Sequence, residues 1–156
     1  MKSIRVIEGD LLEQEVDVIV NAWNRNIIPW WLLLPQGVSG AIKRKGGYKP
    51  FQELAKYGAI PLGGAVHTSA GRLPFRGIIH VAGINMFWFA TEKSIRTSVK
   101  SALKLATEKN YHSIALPLIG AGTGGKSQQK TLTIILDETE QSTFDGDIII
   151  VQYKKT

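Results

Sequence analysis

The sequence predicts a three-layer α/β/α fold around a central six-stranded sheet that is mixed but mostly parallel. Strand-like and helix-like runs alternate along the chain, which is typical of an α/β protein. Most strand-like runs are apolar without polar alternation, as expected for a sheet that helices cover on both faces. The helix-like runs carry apolar residues at three- to four-residue spacing, as expected for helices that pack one face on the sheet.

The six strand-like runs lie at residues 3–7, 16–21, 65–68, 77–82, 113–118 and 148–153. The four helix-like runs lie at residues 38–45, 51–57, 91–109 and 126–138. Pro50 suits the start of the second helix. The polar segment 139–147 contains the turn signal Asp145-Gly146, so we expect a surface loop there.

The length of 156 residues suits one domain, 1–156. The sequence has no cysteine, which excludes thiolate catalysis and disulfides and is compatible with a reducing compartment. The longest apolar run, 27–35, is about half as long as a bilayer span, so we expect a soluble cytoplasmic protein.

The net charge of +6 suits an anionic ligand. Nucleic-acid recognition as the main role is disfavoured, because no aromatic stripe accompanies the basic residues.

A glycine-rich loop is the most informative feature of the chain. A buried strand leads into Gly120, Gly122, Gly124 and Gly125, and an amphipathic helix-like run follows. Glycine allows close approach of the backbone, and the N-terminus of a helix attracts anions. The loop therefore predicts a phosphate-bearing ligand.

The same loop matches the phosphate-binding motif of nucleoside triphosphatases, because Lys126 and Ser127 complete G-x-x-x-x-G-K-[ST]. Its position argues against that alternative. Triphosphatases usually place this loop on the first strand, whereas here it begins at residue 120 of 156. A triphosphatase stays the less favoured hypothesis.

Six motifs in order resemble the macrodomain family, whose members bind ADP-ribose. They are G-D-L, V-D-V-I-V-N-A-x-N, G-V-x-G-A-I, G-x-A-x-x-T-x-x-G-x-L, I-I-H-V-x-G and S-I-A-L-P-L-I-G-A-G, and they span about residues 4 to 125. The resemblance implies that Asp10 accepts a hydrogen bond from the adenine amine, with the main-chain N–H of Leu11 beside it. It implies that Asn24 holds the distal ribose.

The resemblance also implies two diphosphate loops, which would make Lys126 and Ser127 a chance match. The first loop comprises Gly37, Val38, Ser39 and Gly40, and the second comprises Gly120, Ala121, Gly122, Thr123 and Gly124. No metal and no cofactor are implied. Tyr153 either lies against the adenine or is an ordinary sheet aromatic. Turn formation by Asp10 and loop geometry at Asn24 are the alternatives to ligand binding at those positions.

The sequence leaves two functions open. The first is a hydrolase that removes ADP-ribose from modified macromolecules or cleaves small ADP-ribose derivatives, with Asn24 and Ser39 as candidate catalytic residues. The second is a non-catalytic ADP-ribose reader, because many hydrolytic relatives carry an aspartate where this chain has Ser39. The expected partners are ADP-ribose and ADP-ribosylated protein or nucleic acid, and we expect a monomer without membrane contact.

We expect structural roles for Asn21 and for the three histidines, His67, His80 and His112. We expect the apolar segment 27–36 either to wall or cover the distal ribose pocket, or to pack into the core or form a patch for a partner.

Overall fold

Six strands form one mixed sheet in the computed structural model, which describes residues 1–23, 37–82, 91–119 and 128–153. The strands are β1 (Ser3–Gly9), β2 (Val18–Ala22), β3 (Ala65–Thr68), β4 (Gly77–Val81), β5 (Ser113–Pro117) and β6 (Asp147–Tyr153). The described helices are α1 (Gly37–Gly46), α2 (Lys49–Ala55), α3 (Glu92–Glu108) and α4 (Gln128–Gln141). The predicted fold class is thus confirmed, and a short 3-10 turn at Leu11–Glu13 is an additional element.

The strand order is β1-β6-β5-β2-β4-β3. All neighbouring pairs are parallel except β3 with β4, which are antiparallel. The carboxyl ends of β1, β6, β5, β2 and β4 therefore lie at one edge of the sheet, which we call the carboxyl edge. Ligands of open α/β sheets bind beyond this edge.

Helices cover both faces of the sheet. Within β2, Val18 and Val20 belong to one core cluster, whereas Ile19 between them belongs to the other. The first cluster includes apolar residues of α3 and α4, and the second includes those of α1 and α2. This two-sided burial explains why the strands read as continuous apolar runs. None of the described helices has the length and apolar character needed to cross a bilayer.

The end of α4 differs from the sequence prediction. Residues 139–147 are predicted to form a loop, but the helix continues to Gln141, so the first three of these residues are helical. The Lys2 ammonium donates to three main-chain carbonyls, those of Thr139 at 3.1 Å, Glu140 at 2.6 Å and Ser142 at 2.9 Å. A helix leaves its last carbonyls without partners, and a cation there is favourable. The extra helical residues are stabilised by a side chain from the opposite end of the chain.

Candidate functional site

Asp10 lies at the carboxyl edge, directly after β1. Its Oδ1 accepts a hydrogen bond from the main-chain N–H of Leu12 at 2.9 Å, so Asp10 caps the 3-10 turn. Its Oδ2 lies 3.8 Å from the Lys45 ammonium, and 28% of the side chain stays exposed. Leu11 is buried beside it. Asp10 is therefore a turn residue, as one alternative predicted, and its side chain keeps partial contact with solvent.

The first turn of α1 lies over the end of β2. The hydroxyl of Ser39 donates to Asn21 Oδ1 at 2.8 Å, and it lies 3.5 Å from the carbonyl oxygen of Ala22. Val38 packs against the second core cluster, and Gly40 is buried. The first turn has no acidic residue, whereas the last turn carries Lys43, Arg44 and Lys45. The positive end of this helix is thus left without a neighbouring carboxylate of its own turn, which suits an anion.

Helix α1 connects two parts of the carboxyl edge. Ser39 near its start contacts the end of β2, and Lys45 near its end approaches Asp10 after β1. Strands β6 and β5 lie between β1 and β2. The ends of β1 and β2 are therefore three strand spacings of about 4.8 Å apart, or about 14 Å. The arrangement offers a carboxylate at one end and a helix N-terminus at the other, with the ends of two strands between them.

A buried hydrogen-bond chain begins at Ser39 and runs through Asn21, His80 and Thr68. Asn21 Nδ2 lies 3.0 Å from His80 Nδ1, and His80 Nε2 lies 2.9 Å from Thr68 Oγ1. Asn21 and His80 are fully buried, and burial lowers the pKa of His80 to about 3. Asn21 thus links β2, β4 and α1, which confirms its structural role. The sequence did not predict this chain, although polar residues inside apolar strands were a signal for it.

Neutral His80 makes stability dependent on pH. Its pKa is about 3 in the folded protein against about 6.5 when unfolded, so the unfolded state binds more protons below about pH 6.5. The contribution of neutral His80 to the stability of the fold is therefore complete above about pH 6.5 and is lost as the pH falls below it. We expect His80 alone to contribute a loss of about 2 kcal/mol between about pH 7 and pH 5 in urea denaturation. The His80→Asn variant should lack this contribution, and exposed His112→Asn should retain it. Equal pH dependence in the wild type and His80→Asn would contradict the assignment.

Trp23 packs under this edge rather than projecting from it. The ring is 3% exposed, and its centroid lies 5.2 Å from that of Phe51. The Lys43 ammonium lies 4.9 Å from the Phe51 centroid and 5.7 Å from the Trp23 centroid, a distance at which cation–π attraction operates. Partial burial lowers the pKa of Lys43. These contacts fix α1 against α2 and the end of β2.

Tyr153 ends β6 at the carboxyl edge. It pairs in register with Gly9, so it lies beside the strand end that carries Asp10. Its side chain is 74% exposed. The ring is thus largely in solvent, beside the strand end that carries Asp10.

The other two histidines are not part of the buried hydrogen-bond chain. His67 Nε2 lies 2.7 Å from the Tyr111 hydroxyl, and burial and the nearby Lys109 lower the pKa of His67. The His112 side chain is exposed. Within 1–23, 37–82, 91–119 and 128–153, no group of three or more His, Asp or Glu side chains could hold a metal ion.

Several predicted site residues lie outside the described residues. They are Asn24, the loop residues 120–124 and the whole apolar segment 27–36. The described chain stops before two of these segments at Trp23 and Ile119, which follow β2 and β5. These strands are neighbours in the sheet. The last described residues before the two segments, Trp23 and Ile119, therefore follow neighbouring strands at the carboxyl edge.

Comparison with known families identifies the family of this chain. The sequence model of the Macro domain matches residues 20–135, about three quarters of the chain. The chain belongs to the macrodomain family. The resemblance drawn from the six motifs is therefore confirmed.

The alignments with two named relatives cover most of this macrodomain. A macro domain-containing protein of Streptomyces griseus is 41% identical over 130 residues, which are 78% of this chain and 70% of the relative. The O-acetyl-ADP-ribose deacetylase of Klebsiella pneumoniae is 38% identical over 137 residues, which are 83% of this chain and 74% of the relative. Hydrolase activity thus occurs in this family.

Solved structures share the fold. The Trypanosoma brucei macrodomain in complex with ADP-ribose has a TM-score of 0.82 at 25% identity, and the match covers 97% of this chain and 64% of that one. The Oceanobacillus iheyensis macrodomain with ADP has a TM-score of 0.78 at 29% identity, covering 96% and 83%. Both structural matches therefore extend over nearly the whole of this chain.

Proposed function

We propose that the macrodomain binds ADP-ribose along the carboxyl edge and hydrolyses ADP-ribose derivatives. The observation that carries the proposal is the joint placement of Asp10 and the first turn of α1 at this edge. Relatives and structural neighbours named for ADP-ribose and its O-acetyl ester support the choice of ligand.

Each end of the ligand has a chemically suitable partner. Asp10 Oδ2 would accept from the adenine amine, and an ionised acceptor strengthens such a bond. The main-chain N–H groups of Gly37–Gly40 would bind the diphosphate, and the family resemblance assigns a second diphosphate loop to residues 120–124. The family resemblance assigns the distal ribose to Asn24, whose amide can both donate to and accept from a pair of hydroxyls.

The proposed reaction is metal-independent ester or glycosidic hydrolysis. In the ester case, water oxygen bonds to the acyl carbon, the bond from that carbon to the ribose oxygen breaks, and a carboxylic acid and ADP-ribose leave. Positioning of the water and of the distal ribose would supply most of the acceleration. Substrates would be small esters or ADP-ribosylated protein or nucleic acid.

A non-catalytic ADP-ribose reader is the second candidate. The observation that favours it is the hydroxyl of Ser39, which is occupied by Asn21 and is not an acid. Binding without turnover would then be the whole function.

Calorimetry and turnover assays distinguish these functions. We expect binding of ADP-ribose without magnesium, unchanged in Lys126→Ala and weakened in Asn24→Ala. Release of acetate from O-acetyl-ADP-ribose, or of ADP-ribose from modified protein or DNA, would then support the hydrolase. Binding without any release would identify a reader. Tighter binding of magnesium–ATP, lost in Lys126→Ala, would instead identify a triphosphatase and refute the proposal.

Tyr153 is expected to contribute modestly to binding. Tyr153→Ala should weaken ADP-ribose binding about fivefold, near the low end of what aromatic–base stacking provides, because the ring is largely exposed. Tyr153→Phe keeps the ring and should bind as the wild type does. An unchanged affinity in Tyr153→Ala, measured by calorimetry, would show that Tyr153 is an ordinary sheet aromatic.

A further inference from the structure

The buried hydrogen-bond chain ends at a main-chain carbonyl, and this end fixes its direction. The Thr68 hydroxyl donates its single proton to the carbonyl oxygen of Ser69 at 2.9 Å. Thr68 Oγ1 must then accept at its contact with His80, so His80 Nε2 carries a proton.

The remaining steps follow from the neutral state of His80. A neutral imidazole has one N–H, so Nδ1 is a bare acceptor. Asn21 therefore offers its Nδ2 to His80 and turns its Oδ1 toward Ser39. The Ser39 hydroxyl donates to that oxygen at 2.8 Å, and its proton is thus directed into the protein.

We infer that this chain makes Ser39 Oγ an acceptor-only group toward the ligand, with Thr68, His80 and Asn21 as positioning residues. Phosphate oxygens are acceptors as well, so Ser39 Oγ would repel them and would bind a ribose hydroxyl or a water molecule. The inference rests on the proposed function. Within it, the main chain of α1 binds the diphosphate, and the Ser39 side chain selects the hydroxyl-bearing group beyond it.

Removal of the Thr68 hydroxyl should reverse the chain. In Thr68→Val, His80 Nε2–H has no acceptor, so the tautomer protonated at Nδ1 becomes favourable. Nδ1–H would donate to Oδ1 of a flipped Asn21, whose Nδ2 would donate to Ser39 Oγ. The remaining protein acceptor, the carbonyl oxygen of Ala22, lies 3.5 Å from Ser39 Oγ, too far for a strong hydrogen bond, so the Ser39 proton would be available to the ligand.

Ligand preference provides the functional measurement. ADP-ribose carries a distal ribose, whereas ADP ends in a phosphate. We expect Thr68→Val to lower the ratio of ADP-ribose affinity to ADP affinity about fivefold, the effect of about one hydrogen bond. Thr68→Ser should restore the ratio. Thr139→Val is the matched control, because that buried hydroxyl also donates to a main-chain carbonyl, Leu136 O at 2.9 Å, outside the chain.

The tautomer of His80 provides a test that needs no variant. NMR of the histidine ring nitrogens in the wild-type protein should show a proton on Nε2 and none on Nδ1. A proton on Nδ1 would overturn the inference, as would an unchanged affinity ratio in folded Thr68→Val. If Thr68→Val does not fold, Ser39→Ala decides, because it should lower ADP-ribose affinity about fivefold and should not lower ADP affinity. Equal loss for both ligands would refute the selective role of Ser39.

Failure of the proposed function has a different signature. A wild-type protein that does not bind ADP-ribose would refute that function and the ligand preference inferred from it. The ring-nitrogen spectrum would still report whether the hydrogen-bond chain has the inferred direction.

Discussion

Replacement of Asp10 by alanine is expected to weaken ADP-ribose binding about tenfold to a hundredfold. A hydrogen bond to a charged group contributes about 1.5–3 kcal/mol, and Asp10 Oδ2 is the charged acceptor that we propose for the adenine amine. Calorimetry with ADP-ribose measures the effect directly.

The Asp10→Asn variant separates binding from stability. An asparagine oxygen can still accept from the Leu12 N–H, so the cap of the 3-10 turn is kept. Its amide nitrogen would then face the adenine amine, donor against donor, and binding should fall as it does in Asp10→Ala. Only Asp10→Ala should also lose about 1 kcal/mol of stability with the cap. Normal ADP-ribose binding in Asp10→Asn would show that Asp10 serves the turn alone.

Truncation of Phe51 to alanine should lower the free energy of unfolding by about 3–5 kcal/mol, the usual cost of removing a buried phenylalanine ring. The side chain is 0% exposed, and its centroid lies 5.2 Å from that of Trp23 and 6.0 Å from that of His80. Its loss would leave a cavity between α2 and the strands below the carboxyl edge.

Urea denaturation of Phe51→Ala and Tyr48→Ala tests this expectation. Tyr48 is an aromatic residue directly before α2, and it is 57% exposed. Its truncation should cost much less stability than that of Phe51, because most of its ring is already exposed to solvent. Similar losses in the two variants would mean that Phe51 does not support the core in the way its burial indicates.

The fold was predictable from local patterns because each element carries its own periodicity. The third helix illustrates this: Ile95, Val99 and Ala106 are all buried on one face of α3. Thr91 caps that helix with a reciprocal bond to Ser94, a short-range signal that a sequence also contains. The end of α4 shows the limit, because Lys2 lies 137 residues from the first carbonyl that it caps.

The candidate site, too, was predictable from the sequence only in part. Asp10 and Ser39 were accessible from the sequence, because each occurs in a short motif next to a strand end or a helix start. The proximity of Lys45 to Asp10 was not, and neither was the link from Ser39 through Asn21 and His80 to Thr68. These contacts join different strands and helices, and local residue patterns do not encode them.

The sequence by itself determined the α/β class, the order of the elements and the family, because these follow from periodicity and from short motifs in a fixed order. The tertiary structure alone decided how the polar groups between the elements pair. A buried hydrogen bond requires a donor and an acceptor at about 3 Å, and only the packing of β2, β4 and α1 sets that distance between residues far apart in the chain.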